Sequence, residues 1–104
     1  MKSKHYEIRV LPLFVSELQE ILEYIEYHLR NPQAAHELEQ RVYDAIVARS
    51  SCAEAFEPYQ SKFARQYTFY RIYVKHYTIF YTVIGDVMEV QSIVYAKRNV
   101  QDIL

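Results

Sequence analysis

One glycine, Gly85, and one cysteine, Cys52, serve the whole of this 104-residue chain, which has no tryptophan. So little glycine excludes a phosphate-cradling glycine loop or a nucleophile elbow, since both need backbone angles that side chains resist, and nucleotide cofactors are not expected. A lone cysteine makes no internal disulfide. Without a base motif beside it, Cys52 reads as a small packed residue in a reducing cytoplasm. No apolar run approaches the roughly 20 residues that cross a bilayer. Behind Lys2 and Lys4, Glu7 and Arg9 interrupt the short apolar stretch, which argues against a signal peptide. His5, His28, His36 and His76 lack the close spacing of zinc ligands, so no metal is expected.

What is present is apolar and aromatic. With 51% hydrophobic residues, 104 positions suffice to bury one core and are too few for two ordinary domains, so residues 1–104 read as a single domain. The net charge of −1 conceals a segregated distribution: +2 over residues 1–16, −6 over 17–57 and +3 over 58–104. Acids on two solvated helix faces account for the middle segment. The basic end is left over, and a cationic surface there would attract phosphates or an acidic partner to one side of the molecule.

The order of elements follows from periodicity. Tyr6 to Leu11 alternates as a strand, with Ile8 and Val10 set against Glu7 and Arg9, until Pro12 closes it. From Phe14 to Leu29 the apolar residues Leu18, Ile21, Leu22, Ile25 and Leu29 recur at helical spacing, with Ser16 and Gln19 placed for a capping box. Asn31-Pro32 reads as an N-cap with proline at the first helical position, opening a second helix to Arg49 along Ala35, Leu38, Val42, Ala45 and Ile46. The two helices should form an antiparallel hairpin. Ser50 to Gln66 shows no period and is expected to be a loop. Tyr67–Lys75, Tyr77–Ile84 and Val87–Tyr95 are rich in aromatic and β-branched residues and are separated by two short turns, the second at Gly85-Asp86, which predicts a meander. The expected fold is α+β, in the order β-α-α-β-β-β: a small antiparallel sheet packed against a helical hairpin, with the first strand at an edge.

Eleven tyrosines are too many to be functional one by one. Those in the helices, Tyr24, Tyr27 and Tyr43, read as packing rings with wet hydroxyls. On the meander, Tyr77, Ile79, Tyr81 and Val83 share one face and Thr78, Phe80, Thr82 and Ile84 the other, so one face is core and the other a candidate cleft floor. The short turns bring Arg71, Lys75, His76, Tyr77, Lys97 and Arg98 toward one surface as candidate functional groups. The plainer reading of the same group is surface charge beside core aromatics.

The strand at the N-terminus, the helical run LQEILEYIEYHLRNPQAAHELEQRVYDAI, the segment YRIYVKHYTIFYTV and the ending VQSIVYAKRNVQDIL together resemble the RelE/ParE superfamily of toxins from bacterial type II toxin-antitoxin systems. The resemblance implies a small sheet flanked by a helical hairpin, a cognate antitoxin partner, and one of two activities. RelE-type members are metal-independent endoribonucleases that cleave messenger RNA on the ribosome, a reaction needing a base, a cation and an acid. On that reading the catalytic candidates are Arg98, Arg71, Tyr77 and His76, with Lys75 and Lys97 binding substrate. Arg98 matches a family arginine at the scissile phosphate and Arg71 a basic position on the first meander strand. Tyr73 and Thr78 stand where the nucleases carry basic residues, and no tyrosine or histidine follows Arg98. ParE-type members poison DNA gyrase and need no catalytic set. A non-toxic interaction module on the same fold is a third reading.

Overall fold

The computed structural model describes residues 5–58 and 68–95. Strand β1 (Glu7–Val10) is followed by helix α1 (Pro12–Glu23), a single π-helical turn (Tyr24–His28), helix α2 (Pro32–Arg49) and strands β2 (Phe69–Val74), β3 (Tyr77–Ile84) and β4 (Val87–Tyr95). This is the expected order. The sheet order is β1-β4-β3-β2, with β2–β3 and β3–β4 antiparallel. β1 does lie at an edge, but it joins β4 in parallel, from Glu7 opposite Val87 to Val10 opposite Val90, so the sheet is mixed rather than wholly antiparallel. The two helices separate β1 from the meander and return the chain on one face, which leaves a parallel neighbour possible without a tight turn.

The first helix begins earlier than its periodicity suggests. Pro12 ends β1 and also opens α1, because a residue with no N–H is at home where that N–H would have no partner. Leu11 is the N-cap and makes no side-chain bond, while the Ser16 hydroxyl donates to the carbonyl of Leu13 inside the first turn. The expected capping box therefore does not form. At the other end the helix widens. Leu29 N–H bonds to Tyr24 O at 3.1 Å, five residues back, and Asn31 N–H to Ile25 O at 3.1 Å, with Arg30 in the left-handed region at φ 53°. Leu29, the residue that ends this turn, is 56% exposed. Asn31 caps α2 as its sequence suggests, its side-chain oxygen accepting from Ala34 N–H at 3.1 Å.

Phe14 and Leu18 from α1 and Leu38, Val42 and Ile46 from α2 pack on Ile72, Ile79, Met88, Val90 and Ile93 of the sheet. Each such aliphatic or aromatic burial is worth roughly 1.5–3 kcal/mol against the entropy of ordering the chain. On β2 the residues Tyr70, Ile72 and Val74 face this core, and Phe69, Arg71 and Tyr73 face away from it, as the alternation of burial along the strand shows.

β4 breaks that alternation once. Phe80 pairs with Ser92 and Tyr81 with Val90, so Gln91 is an extra residue in the β4 ladder, a β-bulge. Met88 and Val90 face the core before it and Ile93 after it.

Candidate functional site

At the end of the helical hairpin nearest residues 29–31, the helices and the β2–β3 turn do not close on each other. They leave a groove of about 750 Å³. Its helical wall carries Glu20, Ile21, Tyr24, Ile25 and Leu29 from the first helix and Ala34, Glu37 and Leu38 from the second. Its strand wall carries Lys75, His76, Tyr77 and Tyr95. On the strand wall Tyr77 meets Tyr95 edge-on at 5.5 Å between centroids and His76 lies 6.3 Å from Tyr95; on the helical wall Tyr24 stacks on His28 at 5.1 Å. Tyr24 and Tyr95 are more than half exposed, at 54% and 56%.

The rims differ in charge, with Lys75 on the strand side and Glu20 and Glu37 on the helical side. Burial, and then the neighbouring phenols of Tyr95 and Tyr24, push the Tyr77 phenol above its ordinary value. At neutral pH Tyr77 is therefore an uncharged phenol that can donate a hydrogen bond and is a poor base.

Of the sequence candidates, Lys75, His76 and Tyr77 come together here. Arg71 does not join them. It sits on β2 facing away from the core, its guanidinium 5.7 Å from the Tyr73 ring, on the opposite side of the sheet from Tyr77. Strand alternation decides this, because Arg71 is three positions from Val74, the partner of Tyr77, and an odd separation reverses the face. Lys97 and Arg98 lie outside the described residues. Core and cleft were expected on opposite faces of the meander; the groove instead opens on the face that carries Tyr77 and packs against the helices, so the two share one face.

Arg49 escaped the sequence reading. It ends α2 and donates to the Arg71 carbonyl and to the Tyr81 hydroxyl, each at 3.0 Å, while its guanidinium lies 3.5 Å over the Phe56 ring. Tyr81 in turn donates to the Ala53 carbonyl at 2.6 Å. The signal available was a basic residue in the last turn of a helix, common enough to point nowhere by itself. Among the described residues no group of three or more metal-ligating side chains occurs, and no helix is long and apolar enough to cross a membrane.

This architecture agrees with comparisons against known proteins. A family model described as the ParE toxin of the type II toxin-antitoxin system parDE matches residues 8–100. The chain belongs to the ParE toxin family. It is thus the toxin component of a type II toxin-antitoxin system, with a cognate antitoxin as partner. Among solved structures, one titled "Chromosomal ParDE TA system from P. aeruginosa" superposes with a TM-score of 0.75 at 12% sequence identity, covering 89% of this chain and 98% of that one. At that identity the likeness speaks for the fold. No curated protein matches the sequence.

Proposed function

We propose that this ParE-family toxin acts as a non-catalytic poison of DNA gyrase, engaging a protein surface through the groove at the open end of the hairpin. The observation that carries this reading is the charge of the groove: Glu20 and Glu37 stand opposite Lys75, and a wall of carboxylates disfavours a polyanion while suiting a protein segment of mixed charge. Arg71, one cation of the nuclease set, lies on the other face of the sheet from Lys75, His76 and Tyr77, which leaves Lys75 as the cation beside the Tyr77 phenol.

Purified protein added to a gyrase reaction should depress supercoiling while ribosome-bound messages in a translation extract stay intact. Intact supercoiling together with cut messages would replace this reading with ribosome-dependent RNA cleavage. In cells, expression of the chain alone should stop growth and its cognate antitoxin should restore it. Arg98, three positions past Tyr95 in sequence, belongs to the same proposal as a planar cation able to bind a carboxylate or phosphate through two hydrogen bonds. Arg98→Ala is expected to weaken growth arrest, and Arg98→Lys to restore it only in part.

A further inference from the structure

The bulge at Gln91 decides which face of the sheet Tyr95 occupies. Side chains alternate along a strand, so one extra residue reverses every position beyond it. Without the bulge, the residues sharing a face with Met88 and Val90 would be Ser92 and Val94, and Ile93 and Tyr95 would turn away from the helices. With it, Ile93 enters the core and Tyr95 stands opposite Tyr77 in the groove.

Something must make the bulged register the preferred one, and the structure holds it from two directions. β1 stops at Val10, opposite Val90, so beyond that point β4 has no strand on this side among the described residues. Glu17, one turn into α1, fills the place. One carboxylate oxygen accepts the Ile93 N–H at 3.0 Å and the Ser92 hydroxyl at 2.6 Å. It does for β4 what a carbonyl of β1 would have done had Pro12 not ended that strand. On the far side, the Gln91 amide donates to Thr82 Oγ1 at 3.1 Å, holding the extra residue against β3.

We propose that Glu17 is a positioning residue for the groove: its carboxylate latches the β4 bulge and thereby turns the Tyr95 ring to Tyr77. The latch is a property of the fold and stands whether or not the groove binds gyrase. A role in stability alone would lower the melting temperature of Glu17→Leu and leave the Tyr95 ring where it is in the folded molecules. The positioning role predicts a different readout.

In NMR spectra of the full chain, the Tyr77–Tyr95 ring contacts should be present in the wild type, retained in Glu17→Gln, whose amide oxygen can still accept both bonds, and lost in Glu17→Leu while contacts among Phe14, Val42 and Ile79 persist. Deleting Gln91 should abolish the Tyr77–Tyr95 contacts whatever residue occupies position 17. Should Glu17→Leu fail to fold, Ser92→Ala removes one of the two latch bonds without touching the core, and is expected to weaken the Tyr77–Tyr95 contacts or give a second set of Tyr95 signals. Wild-type Tyr95 contacts in a folded Glu17→Leu, or a single wild-type set in Ser92→Ala when Glu17→Leu does not fold, would overturn the proposal.

Discussion

The two ends of the helical hairpin are built to opposite standards. At the Arg49 end, a cation, a phenol and backbone carbonyls satisfy one another: Arg49 reaches the Arg71 carbonyl and the Tyr81 hydroxyl, Tyr81 reaches Ala53, and Phe56 lies over the guanidinium. Tyr81 is 0% exposed and its ring stacks on Tyr70 at 5.2 Å. At the other end the helix loosens into a π turn, Tyr24 and Leu29 face outward, and an aromatic groove stays open between rims of unlike charge. A buried polar network must be complete to be tolerated, and such networks fix structure. Exposed aromatic side chains beside charges that water still reaches cost stability and are suited to recognition. The contrast fits the proposal that partner binding belongs to the open end, with the closed end contributing stability.

The severest way to test that assignment is Tyr81→Ala. It removes a ring packed on all sides and leaves the Ala53 carbonyl without its donor, so the loss should be about 3–5 kcal/mol, read as a lowered urea midpoint. Arg49→Ala should cost less, about 1–3 kcal/mol, because Tyr81 keeps its bond to Ala53 while the Arg71 carbonyl and the Phe56 ring lose their partner. If either substitution abolished growth arrest in protein that remained fully folded, stability and recognition would not be divided between the two ends as described.

Much of this fold can be read from the chain because strong local signals coincide with it. Asn31-Pro32 can hardly be anything but a helix start, and Gly85-Asp86, with Gly85 at φ 61°, supplies the turn that a hairpin needs. The π turn has no such signature: LEYIEYHL satisfies ordinary helical spacing, and nothing in it marks the wider winding. The β4 bulge was legible in principle. In VMEVQSIVY the core residues Met88 and Val90 share one parity and Ile93 the other, with Gln91 and Ser92 at the change, although Val87 and Val94 run against the pattern. Arg49 was hidden because its partners, Arg71 and Tyr81, are 22 and 32 residues away in sequence and meet it only through the tertiary fold.

Alkaline titration reaches both ends at once. Burial raises the phenols of Tyr81 and Tyr70 at the closed end and of Tyr77 at the open end; Arg49 partly offsets this for Tyr81. In the folded state these groups keep their protons to higher pH than in the unfolded chain, so the unfolded chain binds fewer protons above about pH 10. Their contribution to stability is complete below that pH and is lost as pH rises through the folded values. Urea midpoints should therefore fall on the alkaline side of pH 10, and Tyr81→Phe should flatten the fall while lowering stability at neutral pH, where Ala53 has lost its donor. A midpoint that does not change between pH 9 and pH 11 would contradict the burial of these phenols.

The smallest expected effect is the one that separates the two roles most cleanly. Both hairpin turns of the meander place a left-handed residue first: Gly85 at φ 61° in the turn to β4, and Lys75 at φ 54° in the turn to β3. Glycine takes that conformation without penalty, whereas a lysine there crowds its Cβ against the backbone at a cost of about 1 kcal/mol. The strained residue is the one whose ammonium stands on the groove rim. Lys75→Gly relieves the strain and deletes the cation together, although glycine's freer unfolded chain returns part of the gain. The expected result is a melting temperature unchanged or a few degrees higher, together with weaker growth arrest, so that stability and activity move in opposite directions. Lys75→Asn, which also tolerates a left-handed backbone and carries no charge, should weaken growth arrest in the same way. If both variants arrest growth at wild-type strength, the Lys75 ammonium contributes nothing to recognition and the strain at this turn is only a cost of the sequence.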